Sequence, residues 1–222
     1  MDVRADLDQT VHVAGSDFHW QPSPLPGVER MMLDRVGDEV AVATSIVRYA
    51  PESRFDPHGH ALGEEFIVLE GVFSDEHGDF PAGTYVRNPP GTAHTPHSDP
   101  GCVIWVKLRQ FDDQDLTPVL TSLSEGDFVE DQGALRRDIY TYGSEVVSVV
   151  RIPAGVRYAF DAHSNVREVL VLSGSVSWQQ NETHTLGPWS WIRIRPGEPM
   201  RLVAESDSVV FSKTRPIYRP AA

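Results

Sequence analysis

The sequence predicts an all-β protein built from two tandem barrels. Three observations carry this expectation: short apolar runs punctuated by turn residues, the lack of helical periodicity, and an internal repeat. Glycine and proline number 17 each among 222 residues, and most stand between short apolar runs, as strand-to-strand turns require. No stretch of about ten residues carries the 3.6-residue period of an amphipathic helix. An apolar content of 40% and a charged content of 23% are ordinary for a globular chain, which at this length can build its cores without disulfide staples.

The repeat divides the chain. Ser45–Tyr49 (SIVRY) answers Ser148–Ile152 (SVVRI), and Glu65–Gly71 (EFIVLEG) answers Glu168–Gly174 (EVLVLSG) at the same interval. Asn88-Pro89-Pro90-Gly91 then answers Ile194-Arg195-Pro196-Gly197 at an interval three residues longer, as one loop insertion gives. Val103 with Val209, and Lys107 with Lys213, keep the longer interval. Such self-similarity in one order indicates a duplicated unit.

Taken along the chain, residues 1–25 contain Gln21-Pro22-Ser23-Pro24-Leu25-Pro26 and are expected to be extended, proline-stiffened chain leading into the first barrel. Residues 26–115 form the first barrel, 116–131 a linker containing Thr117-Pro118 and Ser124-Glu125-Gly126-Asp127, and 132–222 the second barrel. Phe66–Leu69 and Val169–Leu172 are continuous apolar runs between turn residues, the signature of buried strands. Asp75-Glu76-His77-Gly78-Asp79 and Gln179-Gln180-Asn181-Glu182 read as hairpin loops.

Charge and composition exclude several classes of function. A net charge of −13 opposes the phosphate contacts that drive nucleic-acid binding and disfavours anionic membrane surfaces. Cys102 is the only cysteine, so no intrachain disulfide forms, and its apolar surroundings predict a buried, inert thiol. No apolar run is long enough to span a bilayer, and Met1–Asp6 does not resemble a signal peptide, so a cytoplasmic location is expected.

One constellation carries chemistry. His58 and His60 lie two residues apart, and on a strand such positions share a face. Glu64 follows across Ala61-Leu62-Gly63, where the glycine permits the bend that returns a carboxylate to that face. His94 ends Pro89-Pro90-Gly91-Thr92-Ala93-His94, a turn that can aim it from an adjacent strand. Three imidazoles and one carboxylate suit Zn, Fe, Mn, Ni or Cu rather than Ca or Mg. His58, His60, Glu64 and His94 are therefore the expected ligands of one divalent metal ion.

At these residues the sequence resembles the cupin superfamily, whose jelly-roll barrel (a double-stranded β-helix) the resemblance implies for both units. The first cupin motif is matched by His58-Gly59-His60, Glu64 and Gly71, with Glu52 where a leading glycine is usual. Gly83, Pro89, Gly91 and His94 match the second, with Ser98 in place of asparagine. Gly63–Gly78 and Pro81–Gly91 look more narrowly like the ChrR-like cupin family. That family includes the C-terminal domain of zinc-dependent anti-sigma factors that respond to singlet oxygen and peroxides.

The resemblance implies zinc and a regulatory, sensor role in the oxidative-stress response. Sigma-factor binding in the usual manner of that family is not expected, because the sequence shows neither its helical N-terminal domain nor a CxxC. The alternative is an Fe(II)-dependent cupin dioxygenase acting on a small organic molecule such as a ketone or diketone, with Mn and Ni as further metals. A small-molecule ligand in the first barrel and a homodimer stay open as partners. No organic cofactor is called for, and the sequence singles out no catalytic side chain.

Applying the repeat intervals to the ligands gives Asp161, His163, Arg167 and Met200. An arginine where the carboxylate should be opposes a cation, so the second barrel is expected to be metal-free. Among the remaining residues, His12, His19, His97 and His184 are expected at the surface and His77 in a turn. Glu65 and Glu70 are read as strand-end or salt-bridging acids, and Trp189 and Trp191 as packing residues. Trp105 and Lys107 share a face and are the candidates to line the pocket.

Overall fold

In the computed structural model the protein is described over residues 1–38, 40–180 and 182–216. Among these residues the regular structure is strand throughout, apart from one 3-10 turn at Gly15–Asp17. No helix among them is long and apolar enough to cross a membrane. The chain forms two compact units, one from Met1–Ala5 with His19–Glu125 and the other from Asp6–Phe18 with Gly126–Ala222.

The first unit is built on a sheet ordered Val119–Ser122, Thr84–Asn88, Glu64–Asp75, Cys102–Leu108, Val42–Tyr49, Val28–Val36, Gln21–Pro22. Adjacent strands in this order pair antiparallel. A short ladder of His58–His60 with Thr92–His94 forms a separate two-stranded sheet. The core is drawn from Val47, Phe66, Val68, Phe73, Phe80 and Ile104 together with their neighbours.

In the second unit the corresponding sheet runs Val11–Val13, Trp191–Ile194, Val166–Ser173, Ser208–Arg215, Glu145–Ile152, Ala134–Tyr142, Val129–Asp131. A four-stranded sheet of Arg157–Phe160, Met200–Ala204, Val176–Gln179 and Thr183–Leu186 completes it. Between them lie Val169, Val171, Trp178, Ile192 and Met200.

The duplication extends to its irregularities. In the first unit the register slips at Leu33, between Met32 and Asp34, and at Leu69, opposite Val103/Ile104. In the second it slips at Ile139, between Asp138 and Tyr140, and at Leu172, between Val171 and Ser173. Leu69 and Leu172 obey the repeat interval read from sequence, and Leu33 and Ile139 correspond by strand register, since Arg30 pairs with Val47 as Arg136 pairs with Val150. A bulge places one extra residue against a partner strand and so reverses which residues face inward beyond it.

The expected N-terminal segment and linker are not free chain. Val3 bridges Arg35 in the first unit, and Gln21–Pro22 pairs with Glu29 and Arg30. Val11–Val13, by contrast, pairs with Trp191–Arg193 as an edge strand of the second unit. Within 116–131, Val119–Ser122 adds to the first sheet and Val129–Asp131 to the second. These segments supply edge strands, whose unpaired backbone groups need partners.

Buried charges sit on interior strands of each sheet. Arg87 joins Glu65 at 3.1 Å and also pairs with Asp115, while Tyr85 donates its hydroxyl to Glu65 at 2.6 Å. The repeat mate of Glu65, Glu168, accepts from Arg215 at 2.8 Å and from Trp191 Nε1 at 3.0 Å. Glu65 is thus a salt-bridging acid and Trp191 a packed one, as expected. Cys102 is buried, and burial pushes its thiol up to about 11.

Candidate metal centre

Local backbone geometry brings the four predicted residues together. In the ladder of His58–His60 against Thr92–His94, His94 stands opposite His58 and Thr92 opposite His60. Gly63 precedes Glu64 at φ +76°, and a Cβ there would lie 2.4 Å from the Phe111 ring, so this bend requires glycine. Glu64 then opens the long strand Glu64–Asp75 and pairs with Asn88 and Leu108.

One ligand atom from each of the four residues lies within 4.8 Å of the others. The ring centroids of the three histidines are 4.6 to 5.4 Å apart. Glu64 Oε1 is 3.6 Å from Nε2 of both His60 and His94. His60, Glu64 and His94 are buried and His58 is exposed, which sets the group at the boundary between core and opening.

Hydrogen bonds on the far side of each ring fix its tautomer. His58 Nδ1 lies 3.2 Å from the Asp56 carbonyl, so it donates there. Thr92 spends its hydroxyl proton on the Pro89 carbonyl at 2.8 Å, leaving its oxygen to accept from His60 Nδ1 at 3.0 Å. His94 Nδ1 donates to Asp75 Oδ2 at 3.1 Å. All three Nε2 atoms are therefore left with lone pairs, those of His60 and His94 beside Glu64. This is the carboxylate- or carbonyl-supported arrangement found behind metal-bound histidines.

His60 Nε2 is buried without any hydrogen-bond partner. Such an orphan is costly unless something fills the space before it. Electrostatics agree with a neutral imidazole set: burial, then His94 and His58, lower His60 to about 4. Burial also lowers His94, against the opposing pull of Asp75. Burial and then Asp75 raise Glu64 to about 8. A divalent cation would reverse this last effect and satisfy the orphaned nitrogen. The donor set and geometry fit a first-row divalent ion.

A cavity of about 520 Å³ is lined by His58, His60 and Glu64 of the four. Its apolar wall includes Val28, Val47, Tyr49, Phe55, Val106 and Leu108. The expectation for Trp105 and Lys107 is corrected here: both are fully buried on the opposite face of their strand, with Lys107 Nζ on Thr44 Oγ1 at 2.8 Å. Val106 and Leu108 take the cavity side.

Sequence reasoning missed the residues that orient the rings. Asp75 was expected merely in a hairpin loop; it ends the strand Glu64–Asp75, and its Oδ1 also accepts the His77 amide at 2.7 Å. Thr92 carried no signal beyond its place in the second motif. His12 and His184, expected at the surface, are half-buried with rings 4.2 Å apart beside Trp178.

At the corresponding place in the second unit, Arg167 donates to Ser212 Oγ at 3.1 Å and to the Asp161 carbonyl at 3.4 Å. Its guanidinium stacks on Phe160 at 4.8 Å, and burial lowers it to about 10. His163 Nδ1 accepts from the Asn165 amide at 3.0 Å. Met200 lies in the apolar core.

Residues 8–112 match the family model of the ChrR cupin-like domain. Solved structures share the fold over nearly the whole chain. A candidate dioxygenase from Nostoc punctiforme matches with a TM-score of 0.76 at 12% identity, over 96% of this chain and 85% of that one. The Bacillus subtilis oxalate decarboxylase, a protein with Mn(II) centres, gives 0.64 at 12% identity, over 94% of this chain and 78% of its own. A bacterial pirin from Escherichia coli in complex with nickel(II) gives 0.66 at 14% identity, covering 94% and 100%. Among curated proteins no sequence matches.

Proposed function

We propose that this chain, a cupin with a ChrR-like domain over residues 8–112, binds one divalent metal ion and presents it to a small molecule. The ligands are His58, His60, Glu64 and His94. One observation carries the reading: three rings are each anchored through Nδ1, so that their Nε2 atoms and Glu64 Oε1 converge beside a cavity of about 520 Å³. A purely structural site is closed by its protein ligands and has no use for such a cavity.

Bound there, the ion would supply Lewis acidity to an oxygen of the ligand. The chain's own residues do the remaining work. Thr92 and Asp75 hold the rings in the metal-binding tautomer, and exposed His58 stands at the opening. Tyr49, whose phenol is held up by burial and by Glu64, offers the cavity a neutral hydroxyl.

Two finer readings divide on the metal. With iron(II), the arrangement suits a dioxygenase acting on a small organic molecule, and the cavity favours this reading. With zinc it suits a redox-inert sensor, which the ChrR-like domain favours. Metal analysis of the protein purified without added metal, followed by oxygen-electrode measurements on anaerobically iron-loaded protein with β-diketones and aromatic ketones, separates them. Oxygen uptake that needs both iron and substrate supports the enzyme. Tight zinc with no uptake under any loading supports the sensor.

A further inference from the structure

In the first unit the cavity beside the metal site carries three arginines: Arg30, Arg35 and Arg109. That is unusual in a chain of net charge −13. On a regular strand Arg30 and Arg35, five residues apart, would face opposite sides of the sheet. The bulge at Leu33 absorbs one residue and returns Arg35 to the face of Arg30. Arg30 pairs across to Val47 and Arg35 to Ala43, while Leu108 lies next to both Ala43 and Glu64. Arg35 and Glu64 therefore occupy one row of the sheet, three strand spacings or roughly 14 Å apart along the backbone. That span leaves room for a small ligand between guanidinium and metal site.

Among the described residues none of these guanidiniums forms an ion pair with a side-chain carboxylate, and only Arg35 feels one nearby, that of Asp38. Glu29, next to Arg30, is taken by Arg48 at 2.6 Å. Arg35 gives Nε to the Gly37 carbonyl at 3.1 Å and Nη2 to the Asp38 carbonyl. The Asp38 carboxylate is engaged by the N-terminal ammonium. Burial, and then the charge of Arg30, hold Arg35 below its ordinary range, so the two groups feel one another. The acids on the cavity wall are Glu64, a proposed ligand, and Asp56.

The repeat supplies an internal control. By strand register Arg30 and Arg35 correspond to Arg136 and Thr141, and by the longer repeat interval Arg109 corresponds to Arg215. In the second unit Arg136 is paired with Asp138 at 2.8 Å, Arg215 is buried on Glu168 at 2.8 Å, and the third position has no charge. The unit that retains the four metal-ligand residues is thus the one whose equivalent arginines lack carboxylates.

We infer that the cavity takes a small organic carboxylate, its anionic group held by Arg30 and Arg35 with Arg109 at the rim and its apolar body against Val47, Phe55 and Leu108. Arginine is suited to this because its planar fork meets a carboxylate in two parallel hydrogen bonds. The inference rests on the proposed metal-centred small-molecule site, although carboxylate capture by the arginines needs no metal.

Calorimetric titration of the full chain, metal-loaded and metal-free, with acetate, phenylacetate and 4-phenylbutanoate, and with phenylacetamide as the neutral counterpart, tests it. At least one carboxylate should bind at least tenfold more tightly than the amide. Arg30→Gln should remove that preference without altering metal content, and Arg30→Lys should restore part of it. Equal binding of acid and amide, no carboxylate binding below about 10 mM, or an unchanged preference in Arg30→Gln overturns the inference. Metal content measured on the same samples keeps its failure distinct. Arg30-dependent carboxylate binding by a chain that takes up no metal would remove the metal site and leave the arginine site standing.

Discussion

Replacing Asp75 by asparagine keeps the side-chain volume and changes what it can accept from His94. The native carboxylate uses Oδ2 for His94 Nδ1 at 3.1 Å and Oδ1 for the His77 amide at 2.7 Å. An asparagine that keeps its oxygen on the His77 amide turns its NH2 toward His94 Nδ1. Two donors then face each other, and His94 is pushed toward the tautomer whose Nε2 carries the proton and cannot bind metal. Loss of such an orienting partner weakens metal binding by about 10- to 100-fold. An opposite effect arises because Asp75 also helps to raise Glu64, so its neutralisation makes Glu64 easier to ionise. Burial is the larger cause of the Glu64 shift, so this relief is partial and the lower end of the range is expected. The predicted loss is about tenfold, or roughly 1.4 kcal/mol. Competition with a chromophoric chelator measures it, and a thermal melt checks that the His77 turn survives. Affinity within threefold of the wild type, in a folded variant, would refute the role given to Asp75.

Glu64, raised to about 8, is largely protonated in the metal-free protein at pH 7, whereas His60, lowered to about 4, is already neutral. Metal uptake at pH 7 should therefore release about one proton, read from the buffer dependence of the calorimetric enthalpy. Apparent affinity should rise with pH up to about 8 and level off above it, and Glu64→Gln should abolish the release. Gly71 sits at φ +73° with a would-be Cβ 2.1 Å from the Gly101 carbonyl, while Gly83 at φ +88° has open space around it. Gly71→Ala should cost about 2–4 kcal/mol from combined backbone strain and overpacking, and Gly83→Ala about 1–2 kcal/mol from strain alone. Denaturant midpoints showing equal losses would contradict the close approach at Gly71.

The clustering of the four candidate ligands was legible in the sequence because its signals are local: HxH on one strand, a glycine bend to Glu64, and a turn before His94. So was the duplication, which holds down to the bulges at Leu69 and Leu172. What escaped is what depends on distant pairing. Val11–Val13 finds its partner in Trp191–Arg193, and no local signal announces such a contact. Which face of Cys102–Leu108 meets the cavity could not be read either. That strand is buried along nearly all its length, so the period-2 contrast between inner and outer residues is absent. Arg30 and Arg35 look unrelated on an unbroken strand, and only the bulge at Leu33 brings them to one face. Asp75 escaped because an acid before a glycine turn is ordinary turn chemistry, and its bond to His94 crosses 19 residues.

The central claim is the metal centre, and elemental analysis of the full chain tests it most directly. The samples are the wild type purified without chelators, His60→Ala, His94→Ala and, as a control in the second unit, His163→Ala. The wild type and His163→Ala should carry about one equivalent of a divalent transition metal per chain, and His60→Ala and His94→Ala less than about a tenth of that while remaining folded. Wild-type protein that neither carries nor takes up an equivalent, or full occupancy in both first-unit variants, would contradict it.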